Sequence, residues 1–276
     1  MTIARWLGIV TISALSCVVT AFAQGQVSPK QETKPEDTLN LQQQTPRNVG
    51  AEAKRGRAGA VLDLTGYWVA VIDEDWRWRM IIPDKGDFAG IPLTIDGRRM
   101  ADTWDQSKDE KAGEQCRAYG APGLMRLPTR LHITWADENT LKIETDFGTQ
   151  TRLLHFGDAP AAGARSWQGL SLAMWEGDAS AAPKKGGGPT GPRDLKVVTT
   201  NLRAGYLRRN GIPYSQNAAL TEFFDLIPKQ PNGDEWLIVN AMVDDPQYLT
   251  ERWIVSSNFK READGVKWHP TPCSSR

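Results

Sequence analysis

The stretch ALTEFFDLIPKQPNGDEWLIVNAMVDDPQYLTERWIVSSNF (219–259) decides the fold. It holds three runs rich in aromatic and β-branched residues: ALTEFFDLI (219–227), EWLIVNAMV (235–243) and TERWIVSSNF (250–259). Their apolar positions recur with a period of two, the period at which a strand turns side chains to the same face. Pro231-Asn232-Gly233-Asp234 supplies the turn chemistry between the first two. Consecutive strands joined by short turns pair antiparallel.

The same pattern runs back toward the N-terminus. Strand signals fall at LTGYWVAVI (64–72), DWRWRMII (75–82), RLHITWA (130–136), TLKIETDF (140–147), TQTRLLHF (149–156), GLSLAMWE (169–176) and LKVVTTNL (195–202). Turn chemistry recurs at Asp137-Glu138-Asn139, Phe147-Gly148 and Asp264-Gly265. One short helix is expected over 96–112, with Asp96 as its N-cap and Met100 and Trp104 on one face. So many hairpin-linked strands favour an all-β fold, an antiparallel up-and-down barrel, because closure removes exposed edges. A β-sandwich is the alternative. The low-complexity stretch 179–192 is read as a hairpin loop between two strands.

Upstream of the barrel the chain changes character. Arg5, the apolar stretch from Trp6 to Thr20 and the small-x-small site Ala21-Phe22-Ala23 read as a signal peptide over 1–23. Residues 24–60 are polar, rich in Gln, Pro, Lys and Glu, and read as a disordered linker. The folded domain is expected over 61–276, and the protein is expected to be periplasmic or secreted. Removing 23 of the 276 residues takes Cys17 with it and leaves two of the three cysteines, Cys116 and Cys273. In an oxidising compartment such an isolated pair is expected to form a disulfide.

Charge narrows the function. With 33 Lys+Arg against 33 Asp+Glu, the chain lacks the surplus positive charge that a nucleic-acid backbone requires, so no nucleic-acid partner is expected. A mean hydropathy of −0.46 and a single apolar run argue against a membrane span once the signal is removed. No nucleophile elbow, phosphate loop, dinucleotide fingerprint or Cys/His zinc spacing occurs, so the sequence implies no metal and no cofactor.

Two resemblances add to this reading. Gly66-Tyr67-Trp68, opening the first strand of the domain, resembles the Gly-x-Trp signature of lipocalins, in which the Trp closes one end of the barrel. Over roughly 60–273 the chain also resembles a calycin-type family of secreted bacterial β-barrel proteins without an established activity. That resemblance is carried by Asp63-Leu-Thr-Gly-Tyr-Trp68, Cys116, Ser166-Trp-Gln-Gly-Leu-Ser171, Trp175-Glu-Gly-Asp178 and Val243-Asp-Asp-Pro-Gln-Tyr248. Relatives often carry a His where this chain has Leu170 and Tyr214, so His-based chemistry there does not carry over. The resemblance implies a lipocalin-like barrel and export, and no reaction.

The densest cluster of reactive side chains is Asp73-Glu74-Asp75-Trp76-Arg77-Trp78-Arg79. Strand alternation would place Asp75, Arg77 and Arg79 on one face and Trp76 and Trp78 on the other. Guanidinium forks on a luminal face would orient an anionic or polar group, and the Trp pair would serve an apolar one. Trp68, Arg152, Tyr206 and Tyr214 join Trp76, Arg77, Trp78 and Arg79 as candidate ligand contacts. Tyr206 and Tyr214 lie in 203–216, read as a loop over a barrel mouth, and Arg152 is read as a partner of Glu144 and Asp146 across the Gly148 turn. If the protein is an enzyme, Asp75, His132 and Glu144 are the candidate acids and bases. Three function classes follow: a carrier of an apolar or aromatic small molecule, a lyase, isomerase or hydrolase on the same barrel, and a cell-envelope interaction module with no identified protein partner.

Overall fold

The computed structural model describes residues 55–158, 160–176, 194–227 and 229–275. The stretches read as a signal peptide (1–23) and as a hairpin loop (179–192), and nearly all of the stretch read as a linker, lie outside the described residues. Packing begins before the expected boundary at Val61. Trp175 Nε1 donates to the Gly56 carbonyl at 2.9 Å, and the Arg57 amide donates to Glu138 O at 2.8 Å.

Among the described residues eleven strands form: β1 (Gly66–Val71), β2 (Arg130–Asp137), β3 (Thr140–Thr145), β4 (Thr151–Phe156), β5 (Leu170–Glu176), β6 (Asp194–Thr200), β7 (Gly205–Arg208), β8 (Ile212–Tyr214), β9 (Ala219–Ile227), β10 (Trp236–Asp244) and β11 (Trp253–Glu262). Nine of them close a barrel in the order β1-β11-β10-β9-β6-β5-β4-β3-β2, while β7 and β8 form a separate hairpin. The fold is an all-β closed barrel, and the sandwich alternative falls. It is not a pure up-and-down meander. A ring with an odd number of strands cannot alternate direction all the way round, so one neighbouring pair must be parallel. That seam is β4 with β5, held over Leu154↔Ser171, His155↔Leu172 and Phe156↔Ala173.

Two sequence expectations change. DWRWRMII (75–82) is not a strand: Trp76–Arg79 forms a helical turn, α1. Asp75 before it adopts a left-handed conformation at φ 53°, and its carbonyl accepts from the amides of Trp78 (2.8 Å) and Arg79 (3.1 Å). The helix expected over 96–112 is two helices, α2 (Ile95–Asp102) and α3 (Gln106–Lys111). Thr94 caps the first through its side chain to Gly97 N, and Asp105 caps the second through Ser107 N, so Asp105 restarts what the sequence pattern reads as continuous.

Inward rows fill the barrel. Trp68, Leu131, Ile133, Leu141, Ile143, Leu154, Phe156, Trp175, Leu195, Val197, Phe224, Leu237, Val239 and Phe259 form its main apolar cluster. A second cluster joins the inward residues Leu220, Ala241, Val243 and Trp253 to covering segments bearing Ile91, Leu93, Leu202, Leu207, Ile212 and Tyr214. One barrel end is therefore capped by the β7–β8 hairpin, the 88–93 segment and the short helix α4 (Ala121–Leu124). The segment 203–216 thus covers the barrel as expected, but as a hairpin. Cys116 and Cys273 are disulfide-bonded, tying the C-terminal tail to this cap.

Candidate functional site

The cap gathers the acidic and basic residues of the 73–79 cluster with partners far away in sequence. Because α1 steps its side chains by about 100° instead of 180°, the expected two faces do not form. Arg79 turns inward and is buried, Trp78 is half-buried, and Trp76 and Arg77 face solvent. Arg79 Nε donates to the carbonyl of Arg126 at 2.9 Å. Arg126 follows α4, sends Nη1 to Ser256 O on β11 at 2.5 Å, and pairs through Nη2 with Asp75 Oδ2. Arg208, at the end of β7, donates from Nη1 to Ala89 O at 2.6 Å and lies 5.0 Å over the Trp78 ring. Arg77 lies 5.5 Å over the same ring. Asp87 organises the outer side, accepting at Oδ2 from Trp78 Nε1 (3.0 Å) and Arg77 Nη2 (2.9 Å). Asn210 fixes that loop, donating to the carbonyls of Asp84 and Asp87, both at 3.0 Å.

Electrostatics follow burial. Loss of water pushes Arg79 and Arg208 down to about 10 and lowers Arg126, with Arg126 adding repulsion on Arg79 and Asp75 acting in the opposite sense on all three. All three remain cations at neutral pH. Asp87 is held below the usual carboxylate range, first by the Trp78 N–H. Arg79 Nη2 is buried with no hydrogen-bond partner among the described residues. The arginines of the cap thus stand among the carboxylates of Asp73, Glu74, Asp75 and Asp87, with Arg77 and Arg208 over the Trp78 ring.

The other candidates go elsewhere. Trp68 is fully buried in the barrel, its Nε1 donating to Leu64 O at 2.9 Å and its ring under Arg261 at 4.1 Å. Arg152 does not meet Glu144 or Asp146. It pairs in register with Ile143, so it points inward and forms a buried ion pair with Glu222, Nη1 to Oε1 at 3.0 Å and Nη2 to Oε2 at 2.6 Å. Asp146 instead accepts from the Arg130 amide at 2.7 Å. Tyr206 donates to Asp109 Oδ2 at 2.9 Å under the Arg117 guanidinium, and Tyr214 is buried in the cap. Burial raises both phenols well above their ordinary range.

Of the three candidate acids and bases, His132 and Glu144 come together and Asp75 belongs to the arginine cluster. His132 Nδ1 lies 3.5 Å from Glu144 Oε2, which also takes Lys142 Nζ at 2.9 Å. The His132 ring stacks on Tyr67 at 4.2 Å and meets the edge of Trp268 at 5.9 Å. This group lies on the outer face of β2 and β3 and docks the C-terminal tail. A cavity of about 10 Å³, room for about one water, lies among Trp104, Asp109, Arg117, Tyr206, Arg209 and Ser275.

Sequence reasoning missed Arg126, Arg208, Asp87 and Glu222. Only Glu222 carried a readable signal, as the one charged side chain in the inward row Leu220, Glu222, Phe224. Set against protein-family models, curated proteins and solved structures, the chain finds no match in any of the three comparisons. Among the described residues no group of three or more His, Cys, Asp or Glu is placed to hold a metal ion. No helix among them is long and apolar enough to cross a membrane.

Proposed function

We propose that this is an exported small-molecule-binding barrel, periplasmic or secreted, that holds an anionic aromatic ligand at its capped end. The observation that supports this reading most is the pair of the buried Arg126 with the half-exposed Asp75 carboxylate, in a cap where Arg79 donates to the Arg126 carbonyl and Arg208 lies over the Trp78 ring. Guanidinium groups kept from water hold anions more strongly than exposed ones, because the competing solvent is reduced. Trp76 and Trp78 offer ring faces for the apolar part of the ligand. The barrel interior supports a site less well, since its inward rows are filled by the protein's own side chains. The cap is thus the better place for the ligand contacts that the sequence suggested.

Isothermal titration calorimetry with sodium benzoate, and with benzyl alcohol as its neutral counterpart, tests the reading. Saturable benzoate binding that weakens with added salt, is absent for benzyl alcohol, and falls at least about tenfold in a folded Arg208→Gln variant is expected. Equal behaviour of the two probes, or no binding of benzoate, would overturn it.

A further inference from the structure

We infer that Asp75 is an internal stand-in for the ligand's acidic group: a carboxylate ligand displaces the Asp75 side chain from Arg126 and takes its place. The inference rests on the anion-binding reading above and adds a substrate class, carboxylates, and a form of self-competition.

The two partners of the Arg126–Asp75 pair are unequal. Arg126 is built into the fold, with 9% of its side chain exposed and its second amino group on a β11 carbonyl, whereas the Asp75 side chain is 38% exposed. The cation is fixed and the carboxylate hangs from the surface. Asp75 is also strained, a non-glycine residue at φ 53°. Asp tolerates that region better than most residues, yet such conformations gather where a segment must change state. The segment that would move is one turn long, Trp76–Arg79, far below the length at which a helix is stable alone. Its Trp76 and the following Met80 and Ile81 are all more than half exposed, so little packing holds its outer side.

The slot has the chemistry of a carboxylate receptor, because a carboxylate already occupies it. Next to it Arg79, whose Nε donates to the Arg126 carbonyl, keeps a buried Nη2 without a hydrogen-bond partner among the described residues. A free carboxylate, not bound to the turn by a short side chain, can settle on the Arg126 guanidinium in the two-oxygen geometry that such groups favour. When a site is occupied most of the time by its own chain, apparent affinity falls by the fraction of time the site is open.

Benzoate titrations of the wild type, Asp75→Asn and Asp75→Gly test this. Removing the competitor should tighten benzoate about tenfold in both variants, corresponding to a slot closed about nine-tenths of the time. Glycine is chosen because it adopts φ 53° without strain, so Asp75→Gly keeps the turn if asparagine does not. Benzoate that binds the wild type but binds both variants no better, or more weakly, sinks the displacement idea and leaves the anion site standing. Benzoate that binds none of the three sinks both.

Discussion

Arg152 and Glu222 form a two-pronged ion pair inside the barrel, at 3.0 and 2.6 Å, with neither side chain more than 1% exposed. Arg152 Nη2 also reaches Thr199 Oγ1 at 3.2 Å, and Thr199 shares a 2.7 Å hydrogen bond with Ser171. Two desolvated charges offset much of each other's cost, but either one alone is strongly destabilising. Glu222→Ala should therefore lower stability by roughly 3–5 kcal/mol, through the uncompensated guanidinium it leaves behind. The double variant Arg152→Met/Glu222→Leu should recover most of that loss, since an apolar pair of similar volume removes both charges. Urea unfolding of the three proteins decides it. A double variant no better than Glu222→Ala would mean that the pair has a role beyond mutual neutralisation.

The Cys116–Cys273 bond spans 157 residues, nearly the whole barrel. In the chain-entropy model, closing so long a loop stabilises by at most about 5 kcal/mol, acting on the unfolded chain. The tail is also held by Thr271 N to Asp146 O and Thr149 Oγ1 to Thr271 O, both at 2.8 Å. Cys116→Ser/Cys273→Ser should accordingly keep a native near-ultraviolet circular dichroism spectrum while losing roughly 2–5 kcal/mol in urea. An unchanged unfolding midpoint would remove the bond from the stability of this fold.

Strand identity was legible because the packing pattern is written locally. ALTEFFDLI alternates buried and half-buried positions over most of 219–227, and β9 has those bounds. The barrel's parallel seam was not legible, because it follows from the number of strands in the ring and from no single segment. Trp76-Arg77-Trp78-Arg79 reads as a strand by period and by β-propensity, whereas it forms a helical turn behind a left-handed Asp75, held by contacts from Trp78 to Asp87 and from Arg79 to Arg126, both outside the run. The candidate site was half legible. Asp75, Arg77 and Arg79 stand out as a dense charged run, whereas Arg126 and Arg208 join them only once the cap has folded. The sequence pairs Arg152 with Glu144 and Asp146 across a turn and leaves open which face they share. The register of Ile143 opposite Arg152 sends it into the barrel instead.

Three acids stand side by side across β5, β6 and β9, Glu176 opposite Asp194 and Asp194 opposite Asp225. Like charges directly opposite on a sheet repel. Burial first, then Glu176 and Asp225, push the Asp194 carboxyl up to about 6. Burial raises Asp225 as well. A folded-state value above the unfolded one means that the folded protein binds the extra proton. The associated stability is complete below pH ~4 and disappears as pH rises through about 6. Asp194→Asn should then be more stable than the wild type at pH 7.5 by roughly 1–2 kcal/mol after allowance for screening, seen as a higher melting temperature, and should melt at nearly the wild-type temperature at pH 4. A gain of equal size at both pH values would point away from ionisation as its source.

Gly211 turns the β7–β8 hairpin at φ +81°, and a Cβ added there would lie 2.1 Å from Cγ of Trp104. Two separate obstacles meet at this residue. The left-handed backbone disfavours any L side chain, and the indole ring is part of a packed cap and cannot simply swing away. Gly211 N also closes the turn onto Arg208 O at 3.2 Å, so a shift here moves the neighbouring Arg208 and Asn210, which hold Ala89, Asp84 and Asp87. Gly211→Ala should cost about 1–3 kcal/mol of stability from strain and overpacking. At a temperature where the variant is still folded, it should also weaken benzoate binding, because the guanidinium of Arg208 and the loop carrying Asp87 leave their places around Trp78. The two readouts separate the hairpin's roles. Lost stability with wild-type benzoate affinity would show that the cap tolerates distortion at Gly211 without passing it to the arginine cluster, and would detach the β7–β8 turn from ligand binding.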